Sequence, residues 1–234
     1  DSSTSRGLGD VYKRQALDFP APDIPVTRTI LFSIITHPFC KLYQHLNLST
    51  ILTIIIKGGT HMKPCIFLDI DGVINPSRKK NSYCLDYNLP NVLAKKLNHP
   101  KIATLNAYLV NQVYYCFSKE SIQLLKQLIE KYDAQIIITS SWRIVYSLEQ
   151  LQAMFDIFDL GKYVKSVTTL INPRTKAIQE FINENNVTSY IILDDFDMSN
   201  AFDYHFVYVR HYFKESDYKK ADYALFIQQK EFSN

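Results

Sequence analysis

Residues 65–75 read CIFLDIDGVIN, and this short run sets the expectations for both the fold and the chemistry. Its first four residues are apolar, which is typical of a strand buried on both faces of a parallel sheet. Two carboxylates, Asp69 and Asp71, follow two positions apart, and Gly72 permits a sharp turn directly after them. We therefore predict a buried strand that ends in an acidic pair. A solvated acidic turn is the alternative when this motif is considered alone.

Apolar runs alternate with amphipathic stretches over residues 62–234. Because successive parallel strands need a crossover connection, this alternation predicts an α/β fold with a doubly wound, Rossmann-like parallel sheet. Residues 76–117, after the first strand, are less regular and too long for a plain loop, so we assign them to a small flap or cap. Further strands are expected at 134–139, 163–170, 190–193 and 205–209, and helices at 118–132, 148–158, 173–182 and 218–228.

Hydroxyl and basic residues follow the second predicted strand. Thr139 and Ser140 end this apolar run, and Arg143 comes three residues later. Ligands of parallel sheets collect beyond the carboxyl ends of the strands, where such groups can hold phosphate oxygens. Helix capping by the hydroxyls and core packing by Trp142 are the alternative.

Two cations and an acidic pair complete the pattern. Arg174 and Lys176 fall in the first turn of a helix that we expect to begin at Pro173, where the macrodipole disfavours positive charge. They indicate an anion nearby, unless the side chains simply reach into solvent. Asp194 and Asp195 follow the fourth predicted strand, and adjacent carboxylates are typical of a site for a hard cation with oxygen ligands. A helix-capping turn would explain one aspartate but not the pair.

The order of these groups resembles the haloacid dehalogenase (HAD) superfamily of phosphotransferases. Its first motif is similar to the DxDG of residues 69–72, its second to Thr139, and its fourth to the acidic pair at 194–195. Its third motif is a lysine or arginine ahead of the fourth strand. The resemblance spans residues 65 to about 222, and the strings FLDIDGVIN, IIITSSWR and IILDDFD are most similar to the small HAD domains associated with RNA repair proteins.

The resemblance implies a role for each acidic group. Asp69 would be the nucleophile that forms an aspartyl-phosphate, and Asp71 the acid that protonates the leaving group and then activates water. Mg²⁺ would be bound between Asp69, the main-chain carbonyl of Asp71 and Asp194, with Asp195 as a further ligand. Thr139 would bind the transferring phosphoryl oxygens.

The resemblance also implies how the phosphate is held. Ser140, Arg143 and Gly72 would contribute to substrate binding. Arg174 is the favoured residue for the basic role, and Lys176 is its substitute. A phosphate dianion about 4 Å from a carboxylate meets roughly 4 kcal/mol of repulsion per pair of unit charges, so the aspartates require a divalent cation and a basic side chain.

We expect a Mg²⁺-dependent phosphomonoester hydrolase whose substrate is a phosphorylated small molecule, a nucleotide or a nucleic-acid end. Basic residues at 78–80 could hold neighbouring phosphates, and Tyr83 and Tyr87 could stack a base, although an ordinary solvated loop explains them as well. A receiver domain would need an aspartate after the third strand, where residues 167–169 read VTT. A metal-dependent nuclease of the topoisomerase-primase type, or a non-catalytic nucleic-acid-binding domain on a similar sheet, is the alternative.

Composition limits the binding partners and the cellular compartment that we expect for this protein. The chain has 26 basic and 23 acidic residues, so its net charge of +3 does not indicate a surface that coats nucleic acid or membrane. Its 4 cysteines form no CxxC pair, which argues against a zinc module. No apolar run reaches the roughly 18 to 20 residues of a spanning helix. We expect a cytoplasmic protein with no membrane partner.

Residues 1–61 differ in character from the rest of the chain. Residues 10–15, DVYKRQ, resemble the translation of a sequencing adapter, and residues 57–62, KGGTHM, resemble a translated ribosome-binding site followed by a start codon. We hypothesise that residues 1–61 are a non-native or disordered leader and that the functional domain occupies residues 62–234.

Overall fold

A five-stranded parallel sheet forms the centre of the computed structural model, which describes residues 63–76 and 83–233. The described residues belong to one compact unit. The hypothesised leader at 1–61 and the basic residues at 78–80 lie outside the described residues. The strands are β1 (Cys65–Leu68), β2 (Gln135–Ile138), β3 (Val164–Val167), β4 (Tyr190–Asp194) and β5 (Phe206–Tyr208), in the order β3-β2-β1-β4-β5. The predicted doubly wound α/β fold is confirmed.

The central strand β1 is fully buried because helices cover both faces of the sheet. Its side chains alternate between two cores: Ile66 and Leu68 belong to the larger one, and Cys65 and Phe67 to the smaller one. Both neighbours pair with β1 in register, so that Leu68 lies opposite a residue of β2 on one side and of β4 on the other. The residues that follow these three strands therefore start at the same level.

Helices connect the strands as parallel pairing requires. They are α1 (Leu89–Leu97), α2 (Ala107–Cys116), α3 (Lys119–Tyr132), α4 (Trp142–Val145), α5 (Leu148–Asp156), α6 (Arg174–Glu184), α7 (Ser199–Phe202) and α8 (Glu215–Ser233). Short 3₁₀ turns lie at Pro100–Thr104, Gly161–Tyr163 and Asp203–His205. Buried residues of α1, α2, α3, α5 and α8 join the larger core, and those of α6 and α7 join the smaller one.

Helix α6 begins one residue later than predicted. Pro173 is the N-cap, with extended backbone at φ −74° and ψ 160°, and Arg174 is the first helical residue. The expectation that Pro173 is the first helical residue is therefore wrong.

The segment after the first strand is more regular than predicted. Its described part, residues 83–117, contains α1, the first 3₁₀ turn and α2, and it buries Leu93, Ile102 and Val110 in the larger core. Helix α2 has no charged residue and is rich in tyrosine and valine, so its sequence lacks the charged face of a typical surface helix. Its start depends on Asn106, whose side chain accepts a hydrogen bond from the N–H of Tyr108 at 2.8 Å. That this segment acts as a cap stays a prediction.

Among the described residues, we find no helix with the length and apolar character needed to cross a membrane.

Candidate active site

The ends of the three central strands converge at one edge of the sheet. The N–H of Asp69 donates to the carbonyl of Leu193 at 3.0 Å, and the N–H of Thr139 donates to the carbonyl of Leu68 at 3.0 Å. These bonds extend the ladder by one residue beyond β1 and β2. As a result, Asp69, Thr139 and Asp194 leave the sheet side by side, as their positions at strand ends predicted.

Three carboxylates form a cluster at this edge. One oxygen from each of Asp69, Asp194 and Asp195 lies within 4.8 Å of the others. Asp69 and Asp194 are buried, whereas Asp195 is exposed. The N–H of Ile70 donates to Asp69 Oδ1 at 2.9 Å, which fixes the orientation of that carboxylate and leaves its Oδ2 directed elsewhere.

Gly72 makes room for this cluster. Its φ of +78° lies in the left-handed region that favours glycine, and a Cβ at this position would lie 2.0 Å from Asp195 Oδ2. A larger residue would therefore strain the turn and displace Asp195. This observation gives Gly72 a steric role in forming the site, in addition to its expected place beside the substrate.

Arg174 lies against two of the three carboxylates. Its Nη1 donates to Asp69 Oδ2 at 2.9 Å and to Asp194 Oδ2 at 2.5 Å. Burial acts to lower the pKa of Arg174, but the charges of Asp69 and Asp194 outweigh that effect and raise it. The guanidinium thus remains charged, and its position at the first residue of α6 is explained by the anions that it faces.

The pKa values of the acidic groups reflect burial and mutual repulsion. Burial, together with the charge of Asp69, raises the pKa of Asp194 to about 6, although Arg174 opposes the shift. The pKa of Asp195 is raised by burial and by the same neighbouring charge. Repulsion among these carboxylates favours the binding of a second cation in addition to Arg174.

Lys176 is not part of this arrangement. Its ammonium is exposed and lies 3.9 Å from Glu180, one helical turn along α6. Of the two candidates for the basic role, only Arg174 contacts the acidic cluster.

Asp71 is held by two donors. The indole Nε1 of Trp142 donates to Asp71 Oδ2 at 2.8 Å, and Nδ2 of Asn75 donates to Asp71 Oδ1 at 2.7 Å. The carboxylate is exposed, yet both of its oxygens are fixed in place. Its side chain lies outside the cluster of three, so the predicted metal contact of Asp71 is left to its main-chain carbonyl.

Hydroxyl groups line the same edge of the sheet. Thr139 and Ser140 are buried, and the Oγ1 atoms of Thr139 and Thr168 have no hydrogen-bond partner among the described residues. A buried hydroxyl without a partner is costly, so both atoms have unused hydrogen-bonding capacity at this edge.

Arg143 supports the strand ends rather than facing the acidic cluster. Its guanidinium donates to the carbonyls of Thr139, Ser140, Thr168 and Thr169, with Nη1 to Ser140 at 2.7 Å and Nε to Thr168 at 3.1 Å. Burial and the nearby charge of Arg174 lower its pKa. These contacts give Arg143 a positioning role at the strand ends, and the expected phosphate contact stays a prediction.

The cluster fits a divalent metal ion by its chemistry. Carboxylate oxygens are the preferred ligands of Mg²⁺, and Asp69, Asp194 and Asp195 supply three of them at one point. Arg174 already neutralises part of their charge. Mg²⁺ held by these residues would be a second cation at the same place.

Three side chains that support the site are not predicted from the sequence. Trp142 and Asn75 hold Asp71, and Thr168 contributes a buried hydroxyl beside the anchor of Arg143. Core packing is the only role that the sequence predicts for Trp142. The available signal is position, because Thr168, Trp142 and Asn75 come one, four and seven residues after strands that end on the edge that carries the acids.

Comparison with known families places most of the described chain in one group. A family model described as the HAD domain in Swiss Army Knife RNA repair proteins matches residues 65–217. The match begins at β1 and includes every residue of the site described above. No curated protein and no solved structure gives a significant match.

Proposed function

The chain belongs to the family of HAD domains in Swiss Army Knife RNA repair proteins and is therefore a HAD-type hydrolase. From this premise we propose that it is a Mg²⁺-dependent phosphomonoester hydrolase that acts through an aspartyl-phosphate on nucleotides or nucleic-acid ends. The observation that carries the proposal is the contact of Arg174 with both Asp69 and Asp194 at the end of the central strand.

Asp69 is the proposed nucleophile. One carboxylate oxygen attacks phosphorus, the bond from phosphorus to the ester oxygen breaks, and the phosphoryl group is carried as an acyl phosphate on Asp69. The hydrogen bond from the N–H of Ile70 to Oδ1 supports this role because it orients the carboxylate, whose Oδ2 accepts from Arg174. Such a covalent step divides a very slow hydrolysis into two easier ones.

Asp71 is the proposed general acid and base. It donates a proton to the departing ester oxygen, and in the second step it accepts a proton from the water that attacks the acyl phosphate. The product is inorganic phosphate, and both aspartates return to their starting state. The contacts with Trp142 and Asn75 support this role because they hold the carboxylate in one orientation between the two steps.

Arg174 and the hydroxyls of Thr139 and Ser140 are proposed to bind the phosphoryl oxygens. The burial of Thr139 Oγ1 without a partner among the described residues supports this assignment. Asp69, Asp194 and Asp195 would hold Mg²⁺, which supplies charge neutralisation and alignment of the phosphoryl group when it is bound. The name of the family supports RNA ends among the candidate substrates.

The test is hydrolysis of p-nitrophenyl phosphate in the presence of Mg²⁺. We expect Asp69→Asn to abolish phosphate release, because an amide oxygen cannot form the acyl phosphate. The matched control is Asp197→Asn, which makes the same chemical change in the acidic turn after β4. Asp197 is exposed and accepts from the N–H of Ser199 at 3.0 Å, outside the carboxylate cluster, so its variant should retain activity.

Two results would contradict the proposal. One is phosphate release by Asp69→Asn at the wild-type rate. The other is a wild-type protein that releases no phosphate from p-nitrophenyl phosphate, nucleotides, or 3′- or 5′-phosphorylated oligonucleotides. Cleavage of internal phosphodiester bonds without phosphate release would instead indicate a nuclease.

A further inference from the structure

An open groove of about 760 Å³ lies beside the loop that carries Asp71. Its wall is mainly aromatic, with Lys119 and Glu120 as its charged members. We call it the aromatic groove. It is lined by Pro76, Tyr114, Tyr115, Phe117, Ser118, Lys119, Glu120, His211 and Tyr212. Its volume lies within the usual range for small-molecule sites, roughly 300 to 1,000 Å³.

The groove opens at the same edge of the sheet as the carboxylate cluster. Helix α3 leads to the start of β2, so its first residues lie at the carboxyl ends of the strands, and residues 211–212 follow β5 at that edge. Two main-chain hydrogen bonds attach these walls to the loop after Asp71. The N–H of Ser118 donates to Ile74 and the N–H of Phe213 to Val73, both at 2.8 Å.

Direct contacts join the groove to the side chains that hold Asp71. Pro76 lines the groove and follows Asn75, whose amide donates to Asp71 at 2.7 Å. On the other side, the ring of Phe117 lies 5.9 Å from that of Trp142, which also donates to Asp71. Two residues thus separate a ligand in the groove from the proposed general acid on either side.

The tyrosines of the groove already form an aromatic stack. Tyr115 stacks on Tyr83 with centroids 5.3 Å apart, and the ring of Tyr114 meets that of Tyr115 edge to face at 5.0 Å. Tyr114 is 39% exposed and Tyr115 is 44% exposed. Because both rings are held by their neighbours, a planar ligand can add to them at low entropic cost.

We propose that the aromatic groove binds the base of the nucleotide whose phosphate is hydrolysed at Asp69. Every base has a face that stacks on tyrosine, and single-stranded ends are the form of RNA in which bases are free to do so. Lys119 at the rim suits the charge of a neighbouring phosphate, and Glu120 and Ser118 offer acceptors for amino and hydroxyl groups. The substrate class is therefore a single-stranded phosphorylated nucleic-acid end, and the family description favours RNA. This assignment rests on the proposed function.

The experiment compares wild type with Tyr114→Ala/Tyr115→Ala. The first measurement is the ratio of kcat/KM for a phosphorylated RNA oligonucleotide to that for p-nitrophenyl phosphate, which has no base. Loss of base stacking should lower the RNA value about 5- to 100-fold and leave p-nitrophenyl phosphate unchanged. Tyr223→Ala, which removes a 67% exposed tyrosine of α8 outside the groove, should change neither value.

The second measurement is equilibrium binding by fluorescence anisotropy, which needs no turnover. The probes are 3′- and 5′-phosphorylated RNA oligonucleotides labelled at the opposite end, each with a matched version that is abasic at the phosphorylated nucleotide. Wild type should prefer the oligonucleotide with the base, and Tyr114→Ala/Tyr115→Ala should bind both versions equally. Tyr114→Phe/Tyr115→Phe keeps the rings and should retain the preference.

The outcomes separate the two proposals. If no phosphate is released from p-nitrophenyl phosphate, nucleotides or phosphorylated oligonucleotides, but the base preference is present and is lost in the double alanine variant, the proposed function fails and the groove remains a base-binding site. If wild type has no base preference, or if the variant keeps it, the groove assignment is overturned whatever the phosphatase result. Loss of a dimer in the variant, with RNA affinity unchanged, would assign the groove to a second copy of the chain and also overturn it.

Discussion

Arg174 is the residue on which the electrostatics of the site most depend. It is the first residue of α6, where a cation is disfavoured by the helix macrodipole, yet its guanidinium contacts two buried carboxylates. Without Arg174, the carboxylates of Asp69 and Asp194 would repel each other. At their separation of up to 4.8 Å, the repulsion is on the order of 3 to 4 kcal/mol at an effective dielectric of about 20. The attraction to Asp69 and Asp194 outweighs the small dipole cost of the first turn.

Substitution of Arg174 should therefore affect catalysis far more than substitution of Lys176. We expect Arg174→Ala to lower kcat/KM for p-nitrophenyl phosphate about 100-fold or more, which is the scale of a lost donor to a developing oxyanion. Lys176→Ala, two residues away on the same helix, removes an exposed ammonium and should stay within about 2-fold of wild type. Equal losses in the two variants, with both folded by circular dichroism, would show that the basic role does not belong to Arg174 alone.

At the scale of elements, apolar runs were the reliable signal. The isoleucines at 136–138 and 191–192 predicted β2 and β4 because a strand buried on both faces must be apolar throughout. Local pattern could not give the start of α6, because Pro173 is compatible with both the N-cap and the first helical position. It also missed α1 and α2, whose buried residues join the larger core, and α2 has no charged residue to mark an outer face.

Helices α3 and α8 are joined by a polar contact that the sequence did not reveal. The hydroxyl of buried Tyr132 donates to Asp222, with the main-chain oxygen at 2.8 Å and Oδ1 at 2.9 Å. Burial, and then the hydrogen bond to Asp222, raises the pKa of Tyr132 to about 12. The phenol is therefore kept neutral in the folded protein under conditions in which an unfolded chain would begin to ionise it.

Tyr132→Phe should destabilise the fold by about 1 kcal/mol, the usual net value of one hydrogen bond. The folded pKa lies above the unfolded value of about 10, so this contribution is fully present below pH 10 and is lost as the pH rises toward 12. Urea unfolding at pH 7.5 and pH 10.8 checks both points, since the difference between wild type and variant should shrink at the higher pH. Tyr223→Phe, exposed on α8, is the control and should show no difference at either pH.

At the scale of the whole molecule, topology assembles a site from distant parts of the chain. Asp69, Thr139, Arg174 and Asp194 meet because three adjacent parallel strands end at one level and the helix leading to β4 begins there. The alternation of strands and helices predicts that residues at these strand ends meet, whereas the preference for Arg174 over Lys176 came from the family resemblance. The side-chain partners at that edge could not be predicted from the sequence. Trp142 has its role only through its contact with Asp71, and Arg143 only through its contacts with residues 139–140 and 168–169.

Because the acidic cluster joins separate strands of the sheet, binding of Mg²⁺ should stabilise the whole domain against unfolding. At a Mg²⁺ concentration ten times Kd, linkage gives about 1.4 kcal/mol, or a rise in the thermal midpoint of roughly 3 to 6 °C. Asp194→Asn removes a ligand and should abolish the rise, whereas Asp197→Asn should keep it. Calorimetry with Mg²⁺ or with EDTA measures the effect without any substrate.

The rise in thermal midpoint that Mg²⁺ causes should be larger at neutral pH than at acidic pH. The pKa of Asp194 in the metal-free fold is about 6, above the unfolded value near 3.9, so its protonation stabilises the metal-free protein at low pH and this contribution is lost as the pH rises through 6. Mg²⁺ must displace that proton, and its stabilising effect should therefore be large at pH 7.5 and small at pH 5. A Mg²⁺ effect of equal size at both pH values, or one that persists in Asp194→Asn, would place the metal away from the strand ends.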